Sequence, residues 1–213
     1  MTTHIDIARF AVWRATAEAP KPDVSFVPPM ERRRLTGVER AALSVAWQVK
    51  TDAELPVVFA SRWGEIGVTL KLMNQFHADR EMSPAGFSAS VHNAAPGAFS
   101  LLTKNHAPYT AIAARDRSLE AGLLETLVLR REAIFVYAEE ATPEFYLPAF
   151  GEPQPACAVA LRVTESPEAP FSVDFRHADL PSAAFDDFIA FLEGRVDTLA
   201  TSDLALSRPS VRH

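Results

Sequence analysis

Apolar and polar positions along this chain switch between strand-like and helix-like periods. His4 to Trp13 sets Ile5, Ile7 and Val12 among β-favouring neighbours and predicts a strand. Four prolines between Pro20 and Pro29 then make an extended connector. From Thr36 to Val49 the apolar residues Val38, Ala41, Ala42, Val45, Ala46 and Val49 recur at intervals of three and four, the spacing of one buried helical face. Thr36 followed by Glu39 is a capping box at its start. Leu55 to Ser61 is a short, almost wholly apolar run, the pattern of a strand buried on both sides of a parallel sheet. A second helix is predicted from Ile66 to Ala78. Pro84 to Ser90 leads into a turn from Ser90 to Gly97, ahead of Ala98 to Lys104.

Tyr109 to Ala114 is β-like, and Ser118 to Arg130 is helical and apolar on most of its circumference, the mark of a central helix. Ala133 to Ala138 and Ala156 to Val163 read as buried strands on either side of a loop with Pro143, Pro148, Pro153 and Pro155. Strands alternating with helices of this length imply βαβ crossovers, hence an α/β sheet covered by helices on both faces. After Thr164 the texture changes. A polar, proline-containing stretch leads to a strand from Phe171 to Phe175, an amphipathic helix from Ala183 to Leu199 and a frayed end from Ser207 to His213. The expected organisation is one domain over residues 1–165 with an extension, 166–213, whose helix packs on it.

Composition narrows the function classes. With 213 residues, 48% of them hydrophobic and 23% charged, the chain can bury a core and is not expected to be disordered. A formal charge of −6 argues against general affinity for phosphate backbones, so nucleic acid is not an expected partner. One cysteine, Cys157, excludes an internal disulfide framework and a cysteine-rich zinc site, and suits a reducing compartment. The N-terminus carries Asp6, Arg9 and Arg14 where a signal peptide would be apolar. No apolar run approaches the roughly 20 residues that span a bilayer. The expectation is a soluble cytoplasmic protein with no membrane partner.

No nucleophile elbow, Walker loop, dinucleotide fingerprint or H-E-x-x-H motif occurs. Three constellations carry potential chemistry. His77, Asp79 and Glu81 stand at spacing two, so on an extended segment they would face one metal; Arg80 among them favours a solvated surface instead. His92 and Asn93 lie on the turn after Phe87, where His92 is placed to act as a base toward Ser88, Ser90 or Ser118, or else to hydrogen-bond the turn's backbone or a partner chain. Cys157 sits inside an apolar strand with no basic neighbour, which favours a buried thiol of high pKa. No metal and no cofactor are expected.

The order of these elements, with Val57-Val58-Phe59-Ala60-Ser61-Arg62-Trp63-Gly64-Glu65 and then Phe87-Ser88-Ala89-Ser90-Val91-His92-Asn93-Ala94, resembles the N-terminal half of β-ketoacyl synthases. More narrowly, it is similar to the short β-ketoacyl synthase-like proteins of gene clusters for aryl polyene and xanthomonadin-type pigments. The resemblance covers about residues 5–165 and implies a thiolase-like half, the N-terminal βαβαβ layer, with a mixed sheet covered by helices. Overlaying Tyr109 to Ala121 on the synthase pattern of strand, Ala-Cys-Ala-Ser-Gly and helix puts Arg115 or a neighbour where the nucleophilic cysteine belongs. The two histidines that synthases draw from their C-terminal half find no counterpart. A guanidinium is permanently charged and is no nucleophile, so no catalytic residue is expected.

The resemblance implies instead a non-catalytic subunit like a chain length factor, which pairs with an active synthase and shapes its acyl pocket. Tyr109, Thr110, Ala111, Ile112 and Ala113 would form the interface strand, with Phe87, His92, Asn93 and Phe99 near the partner's pocket. Partners implied are a β-ketoacyl-ACP synthase, as a heterodimer, and an acyl carrier protein met by Arg32-Arg33-Arg34 or Arg130-Arg131. An exposed interface strand would favour a homodimer in isolation. The alternative is an enzyme, a small acyl-thioester hydrolase or acyltransferase using His92.

Overall fold

The computed structural model describes residues 2–150, 153–175, 181–182 and 184–208. Among them, eight strands form one mixed sheet in the order β3-β2-β4-β5-β1-β6-β8-β7. These are β1 (Thr2–Arg14), β2 (Val57–Ala60), β3 (Tyr109–Ile112), β4 (Ala133–Glu139), β5 (Cys157–Glu165), β6 (Phe171–Phe175), β7 (Thr198–Ala200) and β8 (Leu204–Ser207). Only β2 runs parallel to its neighbours, β3 on one side and β4 on the other; every other pairing is antiparallel.

Alternation along β2 explains its unbroken apolar run. Val57 and Phe59 point into one core, Val58 and Ala60 into another on the opposite face. The first core is closed by α2 (Gly37–Val49) and α5 (Ala94–Thr103), through Ala42, Val45, Val49, Ala95 and Phe99. The second is closed by α6 (Ser118–Val128) and α8 (Phe185–Leu192), through Leu119, Leu123, Phe188 and Phe191. Helices therefore cover both faces of the sheet. The α2 capping box forms, with Thr36 Oγ1 accepting from Glu39 N at 3.0 Å and Glu39 Oε2 accepting from Thr36 N at 2.7 Å. Gly122 lets α6 lie directly on the sheet, since a Cβ there would stand 2.5 Å from Ala60 Cβ and 2.7 Å from Phe135 Cε2.

Short helices at α1 (Pro29–Arg32), α4 (Pro84–Ala89) and α7 (Leu147–Phe150), with α3 (Ile66–Asp79), complete the described helices beside two 3-10 turns. Helix α5 begins four residues before the expected Ala98, because Pro96 falls in its first turn, where a missing N–H costs nothing. The expected helix from Ala183 to Leu199 is corrected at both ends. Ala183 lies outside the described residues, and α8 stops at Leu192, after which a turn at Glu193-Gly194 leads into β7. Leu199 continues the helical spacing but is buried by pairing of β7 with β8. Ser207, expected in the frayed end, is the last residue of β8, and residues 209–213 lie outside the described residues. Strands β6, β8 and β7 extend the sheet beyond β1, so residues after 165 add to the same sheet.

Candidate functional site

Strand β3 is one edge of the sheet, and its register on β2 pairs Val57 with Tyr109 and Ala60 with Ile112. Val57 N donates to the Pro108 carbonyl and Ser61 N to the Ile112 carbonyl. Backbone polar groups alternate sides along a strand, so Thr110 and Ile112 address β2 while Tyr109 and Ala111 turn their N–H and C=O outward. Tyr109, Thr110 and Ala113 are exposed, and Ala111 and Ile112 are half-buried. Apolar side chains stand exposed on the preceding elements, Phe87 on α4, Val91 in the turn and Leu101 on α5. A sheet edge with free backbone groups and apolar neighbours is suited to taking another chain.

The corner after β2 is a dense polar joint. His92 Nε2 donates to the Ser61 carbonyl at 3.0 Å, which fixes the proton on Nε2, and its ring leans on Phe59 at 5.7 Å between centroids. Gly64 faces that ring with φ of 55°. Ser61 Oγ accepts from Gly64 N at 2.7 Å and donates to Glu139 Oε2 at 3.1 Å, while Glu139 Oε1 accepts from Arg62 N. Burial pushes Glu139 up to about 7 against the hydrogen bonds from Arg62, Ser61, Trp63 and Tyr137 that lower it. Behind it, Glu65 is pushed up to about 8, chiefly by burial; its Oε1 accepts from Thr36 Oγ1 at 2.8 Å and its Oε2 has no partner.

At the carboxyl ends of β2 and β4 this joint borders a cavity of about 320 Å3. Arg14, Arg62, Trp63, Arg115, Tyr137, Glu139, Cys157 and Phe185 are among its lining residues. Arg115 stands at the turn between β3 and α6 with φ of 54°, the strand-to-helix corner expected from sequence. The signal that would have found this cavity is charge at the ends of buried strands. Arg62 stands two residues past the end of β2, and Glu139-Glu140 closes the apolar run of β4.

The other sequence candidates are placed as follows. Asn93 is exposed at the start of α5 and makes no side-chain cap, whereas Phe99 is buried against Ala42, Ala46, Val57 and Phe59 and supports the segment from behind. The serines near His92 are engaged by backbone. Ser88 donates to the Pro84 carbonyl at 3.0 Å, Ser90 to the Phe87 carbonyl at 2.8 Å and Ser118 to the Arg115 carbonyl at 2.7 Å. Cys157 is buried at the start of β5, and burial, with the Glu139 carboxylate beside it, pushes its thiol up to about 12. The extended segment on which His77, Asp79 and Glu81 would face one metal does not form, because His77 and Asp79 lie in α3, where residues two apart do not share a face. Among the described residues no group of three His, Cys, Asp or Glu side chains could hold a metal, and no helix is long and apolar enough to cross a membrane.

The sequence profile of the beta-ketoacyl synthase N-terminal domain matches residues 8–186, so the chain belongs to that family. Solved structures share its fold. One is a ketosynthase (ApeO) in complex with its chain length factor (ApeC) from Xenorhabdus doucetiae, at a TM-score of 0.78 and 23% identity over 96% of this chain and 99% of that one. The ishigamide ketosynthase/chain length factor matches at 0.56 and 17% over 87% and 66% of the two chains. A type II polyketide ketosynthase with its acyl-carrier protein, AntDE:AntF, matches at 0.58 and 12% over 82% and 70%. These likenesses establish the thiolase-like ketosynthase fold. No curated protein matches the chain.

Proposed function

We propose that this chain is a chain-length-factor-like subunit, without condensing chemistry of its own, that pairs with an active β-ketoacyl-ACP synthase and shapes its acyl pocket in polyene or fatty-acid-like biosynthesis. The observation that carries this reading is Arg115 at the corner between β3 and α6, where the family resemblance calls for a nucleophilic cysteine. Two further features support it. The outward-facing backbone of β3, with Tyr109, Phe87 and Leu101 exposed nearby, suits addition of a partner. The matching chain of the ketosynthase and chain-length-factor complex is also nearly the same length as this one. In this reading residues 109–113 form the interface strand, His92 and Asn93 border the shared pocket, and the extension 166–213 covers the sheet of the same domain.

The test is co-expression with the β-ketoacyl synthase encoded nearest to it, followed by product analysis. A copurifying pair whose product length changes when Phe87 or Tyr109 is substituted supports the assignment. A chain that fails to copurify and leaves synthase activity and product length unchanged contradicts it. Turnover of acyl-thioesters by the isolated protein, abolished by His92→Ala, would replace it with the hydrolase reading.

A further inference from the structure

Glu65 stands where the first turns of α2 and α3 meet the end of β4. Its Oε1 accepts from Thr36 Oγ1 at 2.8 Å, while its Oε2 is buried with no hydrogen-bond partner among the described residues. Two further carboxyls close the same joint. Glu39 of the α2 capping box and Glu140, whose Oε1 accepts from Gly67 N at 2.5 Å, both add negative charge around Glu65. Glu140 packs on both helices, since a Cβ on Gly67 would stand 2.7 Å from its Oε2 and one on Gly37 3.5 Å from it. The nearby cations are engaged elsewhere: Arg40 donates to the Leu35 and Arg32 carbonyls, and Arg62 pairs with Asp116. Glu139, the other acid at this end of β4, is held by Arg62 N and Ser61 Oγ, and the His92 imidazole by the Ser61 carbonyl. A carboxyl oxygen with no donor, set among like charges and away from water, favours the protonated form.

The part of the chain that this joint anchors has little else to hold it. Of the 14 residues of α3 only Ile66 and Leu72 are buried, and Leu72 lies against Gly86 of α4, which buries none of its own residues. The two helices lean on each other and are fastened at their ends, through Glu65 and Gly67 at the start and through His92 on the Ser61 carbonyl beyond α4. We infer that residues 66–90 form an arm latched by a proton on Glu65, and that loss of this proton frees α3 from α2 and β4 while the sheet stays folded. Without the proton, Oε2 becomes a further buried charge facing Glu39 and Glu140, and outward movement of α3 returns it to water. The closed arm keeps its proton up to about pH 8, whereas a solvated carboxyl releases it near 4.5. Opening therefore becomes more favourable as pH rises between those values and levels off above them. The latch acts within one chain and does not depend on pairing with a synthase.

Amide hydrogen exchange of the full chain, followed by mass spectrometry from about pH 6 to 7.5 and divided at each pH by the rate of unstructured peptide, tests the latch. The opening constant of α3 is expected to lie at least about a hundredfold above those of β2, β4 and β5, and to rise by up to about tenfold per pH unit. Glu65→Gln keeps an acceptor for Thr36 Oγ1 but has no proton to lose, and is expected to remove most of that rise. Glu140→Gln keeps an acceptor for Gly67 N, takes away one repelling charge and is expected to lessen it. Glu168→Gln, on an exposed loop, is expected to leave it unchanged. Circular dichroism confirms that each variant is folded; if Glu65→Gln is not, the parent and Glu140→Gln decide. An α3 opening constant that ignores pH, one no greater than those of the strands, or an equal rise in folded Glu65→Gln would overturn the proposal.

Discussion

Gly64 and His92 are locked face to face: a Cβ on Gly64 would stand 2.8 Å from His92 Cδ2, while the same imidazole reaches across to the Ser61 carbonyl at 3.0 Å. The contact ties the turn after α4 to the corner after β2, and so fixes the segment bearing Phe87, His92 and Asn93 relative to the sheet. Gly64 is required twice over, by this close approach and by its φ of 55°. Gly64→Ala is therefore expected to cost about 2–4 kcal/mol in denaturant unfolding, the sum of a left-handed backbone and an overpacked contact. His92→Ala removes this contact together with the Ser61 hydrogen bond, so Gly64→Ala is expected to cost less when made in a His92→Ala background than in the parent. Simple additivity of the two substitutions would show that the rings and turn yield instead.

Burial raises the carboxyl of Glu65 from 4.5 to about 8, so the folded protein keeps a proton that the unfolded chain has released. Between about pH 4.5 and 8 the native state binds more protons than the unfolded state, and stability falls as pH rises through that window. Glu139, raised to about 7, adds to the slope in its lower part. Glu65→Gln keeps the acceptor for Thr36 Oγ1 and removes the ionisation. Thermal unfolding midpoints followed from pH 5 to 8.5 should decline less in this variant than in the parent; parallel curves would contradict the assignment of the slope to Glu65.

On the far side of α6, the Glu120 carboxylate is buried and accepts from Thr201 Oγ1 and from Asp203 N at 2.9 Å, joining the helix to the β7–β8 hairpin. Arg117 bridges to Asp203 over the same joint. Thr201→Val leaves a buried charge short of one donor and is expected to cost about 1–3 kcal/mol. Hydrogen exchange would show the loss concentrated in β7 and β8; uniform loss across β2 and β4 would place the weakness elsewhere.

Ala111 turns its N–H away from β2, so Ala111→Pro removes a donor at the open edge and leaves the β2–β3 hydrogen bonds in place. Thr110→Pro removes a donor that addresses β2. The first is expected to weaken association with a synthase while changing unfolding of the isolated chain little; the second should lower its stability. Equal effects of both on stability, with association intact, would contradict use of this edge.

Much of this arrangement is legible in the sequence because it is local. The Thr36 and Glu39 box, the period of α2 and the apolar runs of β2 and β4 each announce themselves within a few residues. Tyr109 to Ile112 and the Arg115 corner follow from their place between β2 and α6. What sequence hides is pairing at a distance. Leu199 keeps a helical spacing yet is claimed by β8, and the cavity gathers Arg14, Arg62, Tyr137 and Phe185 from four separate segments. Short helices such as Pro84–Ala89 carry too few turns to show a period, although Ser83 caps this one through Gly86 N at 3.2 Å.

The central claim is that this chain is one half of a pair. Size-exclusion chromatography with light scattering, on the purified chain mixed with the β-ketoacyl-ACP synthase encoded nearest to it, tests that most directly. The account predicts a stable complex with equal numbers of the two chains, lost with Ala111→Pro. Separate elution of the two proteins at concentrations well above micromolar would contradict it.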